Sequence, residues 1–237
     1  MSTCSFYAAH HMTMGEGGFV ATNDCQTRKV ISSLRDWGRA CYCNLAKPGR
    51  TSGNTACGNR FKNWLAGMPN TVYVHRYVFQ EMGYNLKPMD IQAAMGLQQI
   101  KKLPELDAAR RRNFENLNEI FAPYKKYFYM PQATEKSDPC WFAYLLTIRP
   151  DAPFTRQSIV NHLEAAKIQT RSYFSGNALN HPAYHHMAAE YGDLNTAFPI
   201  AQLVTTNSFF LGTFKGITTE KLSYIKQIVD TFFKAYE

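Results

Sequence analysis

His10 and His11 stand side by side a few residues ahead of Gly15-Glu16-Gly17-Gly18. Imidazole titrates near neutral pH, so a pair of them at a backbone turn is equipped for proton transfer. The same pattern also describes a hydrogen-bonded structural histidine in a loop. A second set is Cys41, Cys43 and Cys57, in a polar stretch that holds Pro48, Gly49, Gly53 and Gly58. Thiols one residue apart, with a third nearby on irregular backbone, can converge on zinc or an iron–sulfur cluster. Three loop cysteines with no common purpose is the alternative. Arg171 carries a planar guanidinium suited to bidentate pairing with a diphosphate, and is equally readable as a surface arginine near a strand end. His181, His185 and His186 have no carboxylate or cysteine at ligand spacing, which argues against a zinc site there.

The histidine pair needs two short strands around it, one over Cys4 to Ala8 and one over Phe19 to Thr22, joined by the glycine-rich turn. Asn23 or Asp24 is placed to cap a helix running to about Trp37, with Val30, Ile31 and Leu34 on one face. Residues 38–61 read as the cysteine-bearing loop. Pro88 suits the first turn of a helix in which Ala93, Leu97 and Ile100 recur at helical spacing, while Ala93, Ala94 and Gly96 permit close packing. Pro104 is taken as the boundary between a first domain, 1–104, and a second, 105–237. The second opens on a helix from about Glu105 to Phe121, with Leu106, Ala109, Leu117 and Phe121 inward. A strand over Trp141 to Ile148, a helix begun near Thr155, a strand over Ile168 to Arg171 and a last helix capped by Thr218 or Thr219 complete an α+β arrangement. Cys4, Cys25 and Cys140 read as small interior residues, and Arg110-Arg111-Arg112 as a solvated helix face.

With 237 residues, 45% hydrophobic and 14% aromatic, the chain can bury a real core. No apolar run approaches the roughly 20 residues that cross a bilayer, and the amino terminus lacks the basic-then-apolar pattern of a secretory signal. The expected location is the cytoplasm, with no membrane partner. A net charge of +8 favours an acidic ligand. The basic clusters are not interleaved with aromatics as a strand-binding groove would be, so no nucleic-acid partner is expected.

The segment Ser5-Phe6-Tyr7-Ala8-Ala9-His10-His11-Met12-Thr13-Met14-Gly15-Glu16-Gly17-Gly18 resembles the cofactor-anchoring stretch of the nucleotide-sugar aminotransferase and dehydratase family of pyridoxal phosphate (PLP) enzymes, S-F-x-x-x-K-x-x-T-x-G-E-G-G. His10 falls on the lysine that would hold the cofactor covalently. In that family, histidine at this place marks sugar 3-dehydratases, which hold pyridoxamine 5'-phosphate (PMP) and use the imidazole as base. Asp36-Trp37-Gly38-Arg39-Ala40-Cys41-Tyr42-Cys43, followed by Asn54-Thr55-Ala56-Cys57-Gly58, resembles the cluster loop of the iron–sulfur 3-dehydratases acting on CDP-4-keto-6-deoxyglucose. The gap before Cys57 is longer than in the family, and the fourth ligand of a [2Fe–2S] cluster has no counterpart here. Gly83-Tyr84-Asn85, with Asp90, Gln92, Ala93 and Ala94, resembles the second family signature.

The resemblance implies the α/β architecture of a fold-type I, aspartate-aminotransferase-like transferase, covering only the carboxyl-terminal half of a family member. Residues 1–104 would be the end of the large cofactor domain and 105–237 a linking helix with the small domain. It implies His10 as base, Ser5 and Asn85 on the cofactor phosphate with Asn85 reaching across a homodimer, and Arg171 and Asn177 bordering a nucleotide-diphosphate sugar. Cys41, Cys43 and Cys57 would be remnants of the cluster loop, served by an NADH-dependent iron–sulfur flavin reductase. The implied reaction is C3 dehydration and deoxygenation in dideoxysugar and O-antigen synthesis. The alternatives are a GDP-4-keto-6-deoxymannose 3-dehydratase, an ordinary sugar aminotransferase, a non-catalytic remnant or half of a split gene, and a cysteine-dependent metal protein without PMP chemistry. Because the residue that stacks on the cofactor ring and the carboxylate that pairs with its nitrogen precede the matched region in the family, the chain by itself is expected to be inactive and poorly soluble.

Overall fold

The computed structural model describes residues 1–39 and 60–236, arranged as two compact units, Met1–Lys101 and Lys102–Glu237. In the first, β1 (Ser2–Ser5) and β2 (Gly18–Ala21) form an antiparallel hairpin with Cys4 opposite Phe19 and Ser5 opposite Gly18. The first strand is shorter than the sequence predicts, because Phe6 turns its carbonyl to the loop that follows. Helix α1 (Cys25–Arg35) starts where Asp24 accepts the Thr27 N–H at 2.6 Å, an N-cap that satisfies one of the orphan donors of the first turn. A two-residue ladder joins β3 (Phe61–Lys62) to β4 (Tyr73–Val74), and α2 (Asp90–Gln99) closes the unit. Leu97 on this helix is 65% exposed, and Cys4 and Cys25 are exposed rather than interior.

The second unit holds the core. Its antiparallel sheet has the order β5 (Phe128–Tyr129), β6 (Ala143–Ile148), β8 (Ser208–Gly212), β7 (Thr170–Ser172). Leu146, Ile148, Phe209 and Leu211 pack with the inward faces of α3 (Leu103–Phe121), α4 (Arg156–Ala165) and α8 (Thr219–Phe233). Pro104 begins α3 rather than ending a helix, since a missing N–H costs nothing in the first turn. Thr155 and Thr218 cap α4 and α8 as their positions predict. Short helices α5 (His185–Ala188) and α6 (Leu194–Ala197) lead into α7 (Pro199–Asn207), which hands directly to β8. Arg110 departs from the expected solvated face: it is 8% exposed and donates to the carbonyls of Trp141 and Phe142 and to Thr213 Oγ1. Among the described residues no helix is long and apolar enough to cross a membrane.

Candidate active site

The His10 loop is an excursion closed at its base by one residue. Phe6 donates its N–H to Gly17 O at 2.9 Å, and its carbonyl accepts both the Met14 N–H at 3.0 Å and Thr13 Oγ1 at 3.3 Å. Thr13 Oγ1 in turn accepts the Gly15 N–H at 3.0 Å, so one hydroxyl ties the two ends of the turn. Inside the loop the His10 N–H donates to Tyr7 O at 3.0 Å, and the two rings meet edge to face at 6.2 Å. His10 is exposed. Ser5 Oγ accepts the Tyr7 N–H at 3.3 Å, which leaves the hydroxyl hydrogen to donate to an anion. That donor chemistry fits the phosphate of a PMP-type cofactor.

The glycines around this loop answer to Met14, the buried hydrophobic side chain of the first unit among the described residues. A Cβ on Gly17, whose φ is +144°, would lie 2.8 Å from Met14 Cε, and one on Gly96 of α2 would lie 3.7 Å from Met14 Cβ. A Cβ on Gly18 would meet Cys4 O at 2.5 Å across the hairpin. The anchoring turn therefore seats on α2 through a methionine that neither periodicity nor motif singles out.

Two further sequence signatures interlock. Trp37 donates to Tyr84 O at 2.9 Å, Tyr84 to Leu34 O at 2.6 Å, Leu86 to Arg35 O at 3.0 Å and Gln80 to Gly38 O at 2.8 Å. Asn85 is bridged to Asp36 in this register, with its side chain exposed. The Trp37 ring has Lys87 Nζ 3.5 Å from its centroid and the Arg39 guanidinium at 4.4 Å, and Asp36 pairs with both cations. Such cation–π contacts add to the backbone ladder. Gly38, at φ +74°, would place a Cβ 1.8 Å from Glu81 O, so only glycine fits. Cys41, Cys43 and Cys57 lie outside the described residues.

In the second unit, Arg171 lies on the edge strand β7 opposite Phe210 of β8. Its guanidinium donates to Thr170 O at 3.1 Å, and Gln169, with its amide oxygen turned inward, accepts from both terminal nitrogens. A cleft of about 430 Å³ opens beside it, lined also by Lys167, Lys221, Phe210, Phe214 and Tyr224; among the described residues no carboxylate lines it. Glu164 lies near this end of β7 with its carboxyl held below the ordinary range, first by hydrogen bonds from Thr170 and to a smaller extent by the Arg171 charge. Asn177 is 6% exposed; its Oδ1 accepts the Leu179 N–H at 3.1 Å and its own N–H donates to Thr205 Oγ1 at 2.7 Å. His181 Nε2 contacts Ser175 O at 2.8 Å. Among the described residues no three His, Cys, Asp or Glu side chains are grouped to hold a metal ion.

Residues 1–230 match the DegT/DnrJ/EryC1/StrS aminotransferase family. The chain is 40% identical over 232 residues to a dTDP-4-dehydro-2,6-dideoxy-D-glucose 3-dehydratase of Saccharopolyspora spinosa, covering 98% of this chain and 48% of that protein. It is 39% identical over 234 residues to the lipopolysaccharide biosynthesis protein RfbH of Salmonella typhimurium, covering 98% and 51%. The chain thus spans about half the length of the curated relatives it matches. Among solved structures, the GDP-4-keto-6-deoxy-D-mannose-3-dehydratase of E. coli with bound hydrated PLP superposes with a TM-score of 0.69 at 24% identity, over 96% of this chain and 54% of that one. An aminotransferase from Psychrobacter cryohalolentis gives 0.75 at 19% identity, over 98% and 55%. The fold is therefore that of part of the PLP-dependent aminotransferases, as the resemblance implies.

Proposed function

The chain belongs to the DegT/DnrJ/EryC1/StrS aminotransferase family, and from that premise we propose that it serves the PMP-dependent C3 dehydration of a nucleotide-linked 4-keto-6-deoxyhexose in dideoxysugar synthesis. The observation that carries the reading is His10: an imidazole where the anchoring motif has lysine, on the exposed loop that Phe6 closes. When bound, the cofactor supplies an amine for the sugar ketone and a ring that takes up electron density. A ring nitrogen of His10 takes and holds the proton released at the reacting centre. The Ser5 hydroxyl and the Asn85 amide hold the cofactor phosphate, Asn85 from the second copy of a homodimer. Arg171 pairs with the diphosphate of the sugar nucleotide, with CDP the favoured carrier, and Asn177 shapes the loop beside it. Cys41, Cys43 and Cys57 supply three thiolates toward a [2Fe–2S] centre, one fewer than such a cluster takes, and a flavin reductase would feed it electrons.

Two variants of His10 test the assignment in the polypeptide that carries this chain. His10→Asn should lower conversion of CDP-4-keto-6-deoxyglucose by about 100-fold or more, the range for loss of a general base. His10→Lys should capture PLP covalently, seen as a borohydride-fixed mass increase at residue 10. Conversion by His10→Asn within a few-fold of the parent, or failure of His10→Lys to take the label, refutes the role given to His10.

A further inference from the structure

Three residues beyond Arg171 the chain holds an exposed aromatic ring on left-handed backbone. Phe174 has φ +48°, a left-handed conformation that a side-chain-bearing residue adopts only at a cost. The residue is 68% exposed. It is not loose. The Phe174 N–H donates to Ser172 O at 2.7 Å, and the chain then turns through Gly176, at φ +57°, against Thr205. A Cβ on Gly176 would lie 2.4 Å from Thr205 Oγ1, the atom that also accepts the Asn177 N–H. The strained residue is thus fixed by its neighbours, and the product is an outward-facing ring in a four-ring patch, with Tyr173 nearest at 5.4 Å. Phe174 lies 5.7 Å from Phe210 and 6.1 Å from Phe142, centroid to centroid.

Phe210 belongs both to this patch and to the cleft lined by Lys167, Arg171 and Lys221. A ligand that uses both must carry negative charge at one end and a flat, stackable group at the other. We propose that Phe174 is the stacking face for the base of a nucleoside diphosphate whose phosphates pair with Arg171. The proposal rests on the nucleotide-sugar reading above and adds the residue that would bind the base. Phe174 offers the ligand a surface, whereas Asn177 spends its carbonyl on the turn.

Calorimetric titration of the polypeptide that carries this chain with CDP, GDP and dTDP, and separately with inorganic pyrophosphate, tests this. Phe174→Ala should weaken nucleoside diphosphate binding about 5- to 150-fold, the span found when a base-stacking aromatic is truncated, and leave pyrophosphate within twofold. Phe174→Tyr should keep parental affinity. Phe174→Gly, which relieves the left-handed strain, should match or exceed the parent in urea midpoint while binding nucleotides as weakly as Phe174→Ala, so misfolding cannot mimic the result. Arg171→Ala should weaken both ligands. Nucleotide affinity unchanged in Phe174→Ala, or pyrophosphate lost in parallel, overturns the proposal. If the parent binds pyrophosphate but no nucleoside diphosphate, the stacking role falls and the anion role of Arg171 stands; if it binds neither, both fall.

Discussion

Replacing Gly83 by alanine isolates the contact on which the first unit's two interlocked signatures depend. The backbone at Gly83 is not left-handed, so alanine brings no conformational penalty of its own. Its Cβ would nevertheless lie 2.1 Å from Gly38 N and 2.6 Å from Trp37 C, both backbone atoms that no rotamer change can move. The segments must part by roughly an ångström, which loosens the bonds from Trp37 to Tyr84 O and from Gln80 to Gly38 O. At about 0.5–1.5 kcal/mol for each of the two net hydrogen bonds, plus about 1–3 kcal/mol for the strain of overpacking, the expected loss is about 2–6 kcal/mol. Gly38→Ala should cost more, because a contact of 1.8 Å to Glu81 O is joined by a φ of +74°, itself worth about 1–2 kcal/mol. Gly67→Ala is the control: nothing lies within 4 Å of its Cβ, so its effect should stay within about 0.5 kcal/mol. Urea unfolding gives the three values, and amide exchange at Trp37, Gln80 and Tyr84 should accelerate in the first two variants. Equal midpoints for Gly83→Ala and Gly67→Ala would refute the close approach.

Burial, and then the hydrogen bond to Asp107 Oδ1 at 3.1 Å, push the Cys140 thiol up to about 12. Since the thiolate is the nucleophile, iodoacetamide at pH 8 should label Cys140 at least about tenfold more slowly than the exposed Cys4 and Cys25, measured by peptide mass; equal labelling counts against this. Glu164 is held below its ordinary value of 4.5 in the folded chain, so its contribution to stability is full above that value and is lost as pH falls through the folded value. Thermal melts between pH 6 and about pH 3 should therefore decline less steeply for Glu164→Gln than for the parent, and parallel curves would remove the linkage.

Helices whose caps are spelled out were legible in the sequence: Asp24, Thr155 and Thr218 begin α1, α4 and α8. The strand β8 was not legible, although it lies between β6 and β7 in the sheet. Ser208-Phe209-Phe210-Leu211-Gly212 follows α7 without a turn signal, and a short apolar run without alternation does not separate strand from helix. Arg110 was misjudged for a different reason. Three consecutive arginines suggest a solvated face, but the partners that bury the first of them are 31, 32 and 103 residues further along the chain. Cys4 and Cys25 show the converse: a small apolar residue type beside strand-like sequence does not make a position interior.

The motif residues divide into those that shape backbone and those that would touch a ligand. Gly17 yields space to Met14, Gly18 to Cys4 O, Gly38 to Glu81 O and Gly83 to Trp37. Each glycine records a close approach within the first unit, and such approaches are needed whatever reaction the fold supports. A likeness written in these glycines is therefore a likeness of shape, which is why aminotransferases and dehydratases alike superpose on this chain. The side chains on which the chemistry would depend, Ser5, His10, Asn85 and Arg171, do not set those approaches. Exchange of lysine for imidazole at position 10 leaves the loop closure at Phe6 untouched, because that closure is made by backbone groups and the Thr13 hydroxyl. The fold can hold still while the reaction changes. For this reason His10→Lys should alter how the cofactor is held without changing the unfolding free energy measured in urea by more than about 0.5 kcal/mol; a variant that takes PLP covalently yet loses several kcal/mol of stability would show that the imidazole is part of the scaffold after all.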